Sequence, residues 1–294
     1  MIRIITDSTC DITQKEAIEL GITVIPLTIL FGDQEYQDGV TLTTEHFYQK
    51  LANTDILPVT SQIPPAVFED TFSKYQNTDD TIIGIFLSSE LSGTFQSAMI
   101  AKLNLEQDNI YLIDSKNVSI GTALIVREAV KMRDQGFPAE SIVNTCNDLV
   151  PRVKTVAVAQ TLQYLKMGGR LSAQAAMIGS LLHITPVIEV CDGRIQLASK
   201  LRGKKATLHY FNTLISDSPA DPFRTMVFGH ASAPENLRLL SEELCELTVH
   251  LNTAESSIGC AVGTHLGPGA FGIAYVPEAN HQELANETQS IYCA

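Results

Sequence analysis

Small polar residues follow several predicted strands in the first half of the chain. The segments are Asp7-Ser8-Thr9, Thr60-Ser61, Ser88-Ser89-Glu90-Leu91-Ser92-Gly93-Thr94 and Asp114-Ser115. Open parallel sheets bind ligands beyond the carboxyl ends of their strands, where hydroxyls and the first amides of the following helices can bind an anion together. Each segment alone is more typical of simple helix N-capping. Their recurrence at one end of the same predicted sheet favours a binding crevice.

Three further groups of residues in the second half carry candidate chemistry. His265 lies in the glycine-rich segment 263–270, which is predicted to be a loop between two strands that permits close backbone approach. Arg170 follows Gly168-Gly169 in a tight turn that precedes a helical segment. A lone histidine or a turn arginine is as often structural as functional. A dense basic cluster could bind a phosphate or an acidic partner, although such clusters are usually solvated; it comprises Lys200, Arg202, Lys204 and Lys205.

Motifs that indicate nucleotide binding or ester hydrolysis are missing from the sequence. It has no Gly-x-x-x-x-Gly-Lys-Ser/Thr, which excludes a P-loop, and no Gly-x-Gly-x-x-Gly after the first strand, which argues against a dinucleotide site. A hydrolase could combine Ser92 and His265 with Asp7 or Asp114. Because Ser92 does not lie in a Gly-x-Ser-x-Gly turn, this alternative is less favoured.

Alternating strand and helix patterns in the first half predict an α/β domain. Apolar strands separated by helices are typical of βαβ units, in which both faces of a parallel sheet are covered. We therefore predict a Rossmann-like domain with a parallel sheet over residues 1–152. The predicted strands are 2–6, 22–31, 81–87 and 110–113, and the predicted helices are 13–20, 44–52, 61–75, 94–103, 122–135 and 139–149.

The second half has a different rhythm, which predicts an α+β domain with a mixed or mostly antiparallel sheet over residues 153–294. Asp192-Gly193 between two apolar runs is a strong hairpin signal. The boundary between the two domains is placed near Pro151. The predicted strands are 155–160, 184–190, 194–199, 225–230, 258–264 and 272–276, and the predicted helices are 172–182, 206–216 and 234–244.

Composition narrows the class of protein further. The chain has 294 residues and is 45% hydrophobic, so it can form a large core. It carries a net charge of −13. This acidic balance argues against a nucleic-acid binder and against broad adsorption to anionic membranes. The sequence has no signal-peptide pattern and no apolar run that approaches the roughly 18 residues of a membrane span. We expect a cytoplasmic protein.

Five motifs, taken together and in order, resemble the DegV family over residues 3–278. They are Thr6-Asp7-Ser8-Thr9, Thr60-Ser61-Gln62, the segment 88–98, Gly168-Gly169-Arg170 and the segment 263–270. The resemblance implies a two-domain protein that buries one long-chain fatty acid, of the palmitate, stearate or oleate type, in a tunnel. It further implies a non-enzymatic carrier without cofactor or metal. Such a carrier presents the acyl carboxylate to a fatty acid kinase, carries the acyl-phosphate toward phospholipid synthesis and touches the membrane only transiently.

The resemblance also assigns roles to individual residues. Thr60, Ser92 and His265 match the residues that bind the fatty-acid carboxylate, and Arg170 matches an arginine that faces the phosphorylated head group and the kinase. Supporting loops contain Ser61, Gly93 and Thr94. Ile63-Pro64 departs from the family, which more often has proline then serine there, and this is expected to shift the start of the next helix. A lipid-sensing scaffold without a kinase role remains an alternative to the carrier.

Overall fold

Strands and helices alternate along the chain, and the computed structural model describes residues 1–76, 78–171 and 184–279. The strands are β1 (Ile2–Asp7), β2 (Thr23–Ile25), β3 (Thr28–Phe31), β4 (Gln34–Gln37), β5 (Val59–Ser61), β6 (Thr81–Phe86), β7 (Ile110–Asp114), β8 (Lys154–Val158), β9 (Thr185–Cys191), β10 (Arg194–Leu201), β11 (Thr225–His230), β12 (Asn252–Ser257) and β13 (Phe271–Tyr275). The α-helices are α1 (Gln14–Leu20), α2 (Thr44–Ala52), α3 (Pro65–Phe72), α4 (Thr94–Leu105), α5 (Ile120–Asp134), α6 (Ala139–Leu149), α7 (Gln163–Met167), α8 (Gly203–Asp217), α9 (Pro234–Thr248) and α10 (Cys260–Leu266). Short 3₁₀ helices cover Ser8–Cys10 and Ser73–Tyr75.

The first sheet is parallel, as the sequence predicts, and its strand order is β2-β1-β6-β7. Its residues alternate between two buried faces. Ile4 and Ile83 belong to the core that α5 and α6 complete, whereas Ile5 and Ile82 belong to the core that α3 and α4 complete. Because the four strands run in one direction, Asp7 and the other strand ends lie along one edge of the sheet.

The segment around Pro26 departs from the predicted pattern. The predicted extended run 22–31 divides into β2 and β3, because a proline cannot donate a ladder hydrogen bond. Strand β3 belongs to a separate antiparallel sheet of order β4-β3-β5. Thr60-Ser61 lies on β5, so its predicted place at the end of the parallel sheet is wrong. The helix predicted at 61–75 begins at Pro65, since a residue that precedes a proline disfavours helical backbone.

The second sheet is mixed, with the order β10-β9-β8-β13-β11-β12, and confirms the predicted fold class. Its neighbours are antiparallel except for β11 and β12, which are parallel. Asp192 and Gly193 form the predicted hairpin turn between β9 and β10, with φ of 49° and 79°. Both central residues of a type I′ turn require positive φ. Helices α8 and α9 cover one face through Phe211 and Leu240, which are fully buried.

The predicted strand at 258–264 is wrong, because the chain forms β12 at Asn252–Ser257 and then α10. Residues 258–264 are small or β-branched and resemble a strand, but the first amides of α10 are bound by distant side chains. His265 therefore lies in the last turn of a helix and not in a loop. The predicted helix at 172–182 and the end of the predicted second domain, 280–294, lie outside the described residues. The division at 152/153 stays a prediction.

Helix α5 links the two sheets, and ten of its residues are buried. It packs against β1 and β6 on one side and β8, β11 and β13 on the other. Glu128 of α5 is 1% exposed, accepts hydrogen bonds from the Thr225 amide (2.9 Å) and hydroxyl (3.0 Å), and pairs with Arg224 at 3.1 Å. No helix in the described part of the chain is both long and apolar enough to cross a bilayer.

We predict that Glu128→Gln lowers the free energy of unfolding by about 2 kcal/mol, because it removes the charge that Arg224 and Thr225 share in a buried place. Chemical denaturation measures this loss. Glu19→Gln is the control, since Glu19 is 64% exposed and 4.0 Å from Lys15, and should change stability by less than about 0.5 kcal/mol. Equal denaturation midpoints for the two variants would contradict the role given to Glu128.

Candidate functional site

A hydrogen bond between Thr60 and His265 joins β5 to α10. The Thr60 Oγ1 and His265 Nε2 atoms are 2.8 Å apart, although the residues are 205 positions apart in the chain. The imidazole Nδ1 is buried and has no hydrogen-bond partner among the described residues. Two residues that the sequence singled out from opposite ends of the chain therefore meet directly.

The Gly168-Gly169-Arg170 turn lies against the same imidazole. A Cβ atom on Gly168 would lie 2.2 Å from His265 Nδ1, so only glycine leaves room for the ring. Gly169 has a φ of +69°, which completes the turn after α7. The Arg170 guanidinium donates to the Gly168 carbonyl at 2.5 Å and to the Leu91 carbonyl at 3.3 Å. Arg170 is thus held between His265 and the loop that contains Ser92.

Ser92 lies in the loop that leads into α4. Its Oγ is 3.1 Å from Thr94 Oγ1 and accepts the Thr94 amide at 3.3 Å. Thr94 is fully buried, and its hydroxyl accepts the Ile63 amide at 3.4 Å. A Cβ atom on Gly93 would lie 2.0 Å from Gln62 Oε1, which shows how closely the two loops approach. These contacts fix the Ser92 loop to the segment that follows Thr60.

A cavity lies between the parallel sheet and the mixed sheet. The space it encloses, including a part that is open to solvent, is about 910 Å³. Thr60, Ser92, Arg170 and His265 line the cavity, whereas Ser61, Gly93 and Thr94 do not. Most of the remaining lining is apolar. It includes Leu27, Leu87, Leu91, Val118, Ile120, Ala157, Leu165, Ile188, Val190, Ile195, Ile258, Ala261, Val262 and Leu266. The sequence did not predict which residues line the cavity.

Other hydroxyls in the cavity wall are already bound to acceptors behind it. Thr9 donates to Asp7 at 2.5 Å, Ser119 to Asp11 at 2.5 Å and Thr155 to Asn117 at 2.8 Å. These hydroxyl hydrogens therefore point away from the cavity. Thr60, Ser92, Arg170 and His265 are called here the polar corner. In contrast to the three hydroxyls above, the Thr60 hydroxyl stays free to donate to a ligand when His265 Nε2 carries the ring proton.

Burial and the charge of Arg170 lower the pKa of His265 to about 4. The imidazole is therefore neutral near pH 7, and the guanidinium is the positive charge of the polar corner. Arg170 forms no ion pair with a carboxylate within residues 1–76, 78–171 and 184–279. Hydroxyls, an imidazole and one unpaired guanidinium suit an anionic head group attached to an apolar body.

The geometry does not assemble the hydrolase alternative. His265 bonds to Thr60 and not to Ser92. Asp7 accepts from Thr9 and from the Leu87 amide, and Asp114 pairs with Lys116. Neither carboxylate orients the imidazole, as a catalytic triad requires. Within the described ranges, no three His, Cys, Asp or Glu side chains are arranged to hold a metal ion.

Sequence reasoning missed Gln62 and Glu189, two further polar residues that line the cavity. Gln62 belongs to the same motif as Thr60, and this motif could have pointed to it. Nothing in the sequence around Glu189 marked that residue as part of a site. The basic cluster is separate from this cavity. Lys204 borders a different depression, together with Thr207 and Asn236.

Comparison with known proteins finds sequences and solved structures that are similar to this chain over more than nine-tenths of its length. A sequence model of the family described as "Uncharacterised protein, DegV family" matches residues 1–278. A DegV domain-containing protein of Clostridium acetobutylicum is 35% identical over 94% of this chain and 98% of its own. A DegV family protein of Thermus thermophilus, described by its fatty acid binding, is 26% identical, with a TM-score of 0.85 over 94% of this chain and 99% of its own. DegV of Bacillus subtilis, described as a fatty acid binding protein, is 30% identical, with a TM-score of 0.82 over 94% and 99%.

We predict that the His265 imidazole titrates near pH 4 in the folded protein, measured by NMR of its ring protons. An unfolded chain binds this proton near pH 6.5, so the neutral ring contributes stability that is lost as pH falls from about 6.5 to 4. Arg170→Gln removes a nearby positive charge and should raise the midpoint. A wild-type midpoint near 6.5, or no change in Arg170→Gln, would contradict the assigned environment.

Proposed function

Because the chain belongs to the DegV family, we propose that it binds one long-chain fatty acid, with the acyl chain in the apolar cavity and the carboxylate at the polar corner. One observation carries the proposal: the cavity hydroxyls at Thr9, Ser119 and Thr155 donate to acceptors behind the wall, whereas the Thr60 hydroxyl bonds to His265 and is free to donate to a ligand when Nε2 carries the ring proton. The relatives from Thermus thermophilus and Bacillus subtilis that are described as binding fatty acids support it.

The apolar wall supplies the free energy of binding. Each buried methylene contributes about 0.8 kcal/mol, so a long acyl chain gains on the order of 10 kcal/mol before ordering and association are subtracted. The acyl chain thus provides the affinity, and the head-group contacts need only offset the cost of burying the carboxylate.

The polar corner offsets the cost of burying a carboxylate. An unpaired buried charge is expensive, whereas charge-assisted hydrogen bonds compensate for it. In the proposed complex, His265 Nε2–H donates to Thr60 Oγ1, which leaves the threonine hydroxyl free to donate to the ligand. Ser92 supplies a second hydroxyl, and Thr94 and Gly93 hold its loop in place.

We further propose that the protein is a carrier for a fatty acid kinase. The acyl carboxylate would attack the terminal phosphate of ATP at the kinase, giving ADP and an acyl-phosphate that this chain retains and delivers toward phospholipid synthesis. Arg170 is the fixed charge beside the head group and would hold the added phosphate. We place this exchange in the cytoplasm. Since the net charge of −13 disfavours lasting adsorption to anionic lipid, membrane contact would be transient.

We predict that the purified protein contains one fatty acid per chain, which native mass spectrometry followed by extraction identifies. Wild type should also bind palmitate more tightly than hexadecanol, an equally long ligand without a carboxylate. Thr60→Ala and Ser92→Ala should each weaken palmitate binding by about tenfold and leave hexadecanol binding nearly unchanged. An empty protein that refuses palmitate and oleate would end the proposal. Equal losses for the two ligands would end only the head-group assignment.

The kinase role has its own test. With a fatty acid kinase catalytic subunit and ATP, the palmitate-loaded protein should yield bound acyl-phosphate, detected by mass spectrometry. Arg170→Gln should lower that yield more than it lowers palmitate retention, because its charge matters most for the phosphate. Tight palmitate binding without any acyl-phosphate would favour the lipid-sensing scaffold over the carrier.

A further inference from the structure

Helix α10 depends on side chains from the first part of the chain. It has seven residues, too few for an isolated helix to persist in water. Three amides at its start are nevertheless bound by side chains. Gly259 N donates to Asp11 Oδ1 at 2.8 Å, and Cys260 N and Ala261 N donate to the two oxygens of Asp38 at 3.0 and 3.2 Å. The side chains of Asp11 and Asp38, called here the capping carboxylates, therefore accept the hydrogen bonds that a preceding helical turn would otherwise accept.

The capping carboxylates are themselves held from the first half of the chain. Asp11 has a φ of 55°, ends the 3₁₀ helix after β1 and accepts the Ser119 hydroxyl at 2.5 Å. The Asp38 amide donates to the Leu27 carbonyl at 2.9 Å. Both side chains are at most 5% exposed. The start of α10 is thus fixed to two rigid points that lie 222 or more residues earlier in the chain.

One face of α10 forms part of the cavity wall. Ala261, Val262 and His265 line the cavity, while the amides at the helix start face the capping carboxylates. His265 lies just over one turn from these amides. A displacement of the helix start would therefore move the imidazole relative to Thr60.

We propose that Asp11 and Asp38 are positioning residues for His265: by binding the first amides of α10 they set the distance between the imidazole and Thr60, and through it the retention of the ligand head group. This inference rests on the proposed fatty-acid site. Neither carboxylate lines the cavity, so both would act through the helix and not on the ligand itself.

The chemistry of the capping carboxylates supports a positioning role. Burial raises the pKa of both groups, so the fold tolerates a cost that an apolar contact would avoid. A carboxylate at a helix start accepts several amides at once and interacts favourably with the helix dipole. Apolar packing could attach α10 equally firmly, but it would not fix the helix along its axis.

The test compares Asp38→Asn and Asp38→Ala with Glu128→Gln, a matched change of a buried carboxylate that binds a distant backbone amide far from α10. Asparagine keeps one acceptor oxygen and alanine keeps none. We expect Asp38→Asn to speed palmitate dissociation by about fivefold to tenfold and Asp38→Ala to speed it further. Both should move the His265 titration toward pH 6.5. Glu128→Gln should lower stability and change neither readout.

A double-mutant cycle separates positioning from general loosening. If Asp38 acts through the imidazole, Asp38→Asn adds little to the palmitate loss of His265→Ala. Fully additive losses, or an Asp38→Asn variant with unchanged dissociation and unchanged His265 titration, would overturn the proposal. Should Asp38→Asn not fold, Asp11→Asn is measured in the same way. If wild type binds no lipid, the fatty-acid function fails, while the His265 titration still decides the positioning role.

Discussion

The hydrogen bond between Thr60 and His265 joins two elements that are weak by themselves. Strand β5 has three residues and α10 has seven, so neither would hold its shape alone. Strand β3 orders the first, and the capping carboxylates order the second. The cavity lies where these supports meet, between the parallel sheet and the mixed sheet. Its polar corner is consequently a product of tertiary contacts and not of any single motif.

Local patterns were sufficient to predict most of the architecture. Apolar runs gave the parallel sheet, because each of its strands is buried on both faces, and Asp192-Gly193 marked the hairpin between β9 and β10. The segment 258–264 misled for a physical reason. Its residues favour a strand locally, and the acceptors that stabilise α10 come from Asp11 and Asp38, which no local pattern around Gly259 reveals.

The site, too, has residues that local motifs reveal and residues that only the folded structure reveals. Motifs identified Thr60, Ser92, Arg170 and His265, and the structure brings all four to one cavity. Their neighbours Gly93 and Thr94 lie against the segment that follows Thr60, and Ser61 pairs with Thr28 of β3. The reason for the strict glycine at 168 was not visible in the sequence, because the constraint is an imidazole almost a hundred residues away. The lining residues were equally hidden, since they come from strands and helices throughout the chain.

The long separation between Asp11 and Gly259 has a consequence for the newly made protein. The two residues are 248 positions apart, and ribosomes add roughly 5–20 residues per second, so roughly 10–50 s pass between their synthesis. All four strands of the parallel sheet are made by residue 114, and the helices α5 and α6 that complete one of its cores are made by residue 149. The cavity can close only after α10 has been made, so apolar wall residues that are made early, such as Leu27 and Leu87, stay uncovered on the cavity side until then. Chaperone demand should therefore be concentrated in the period before residue 266 emerges.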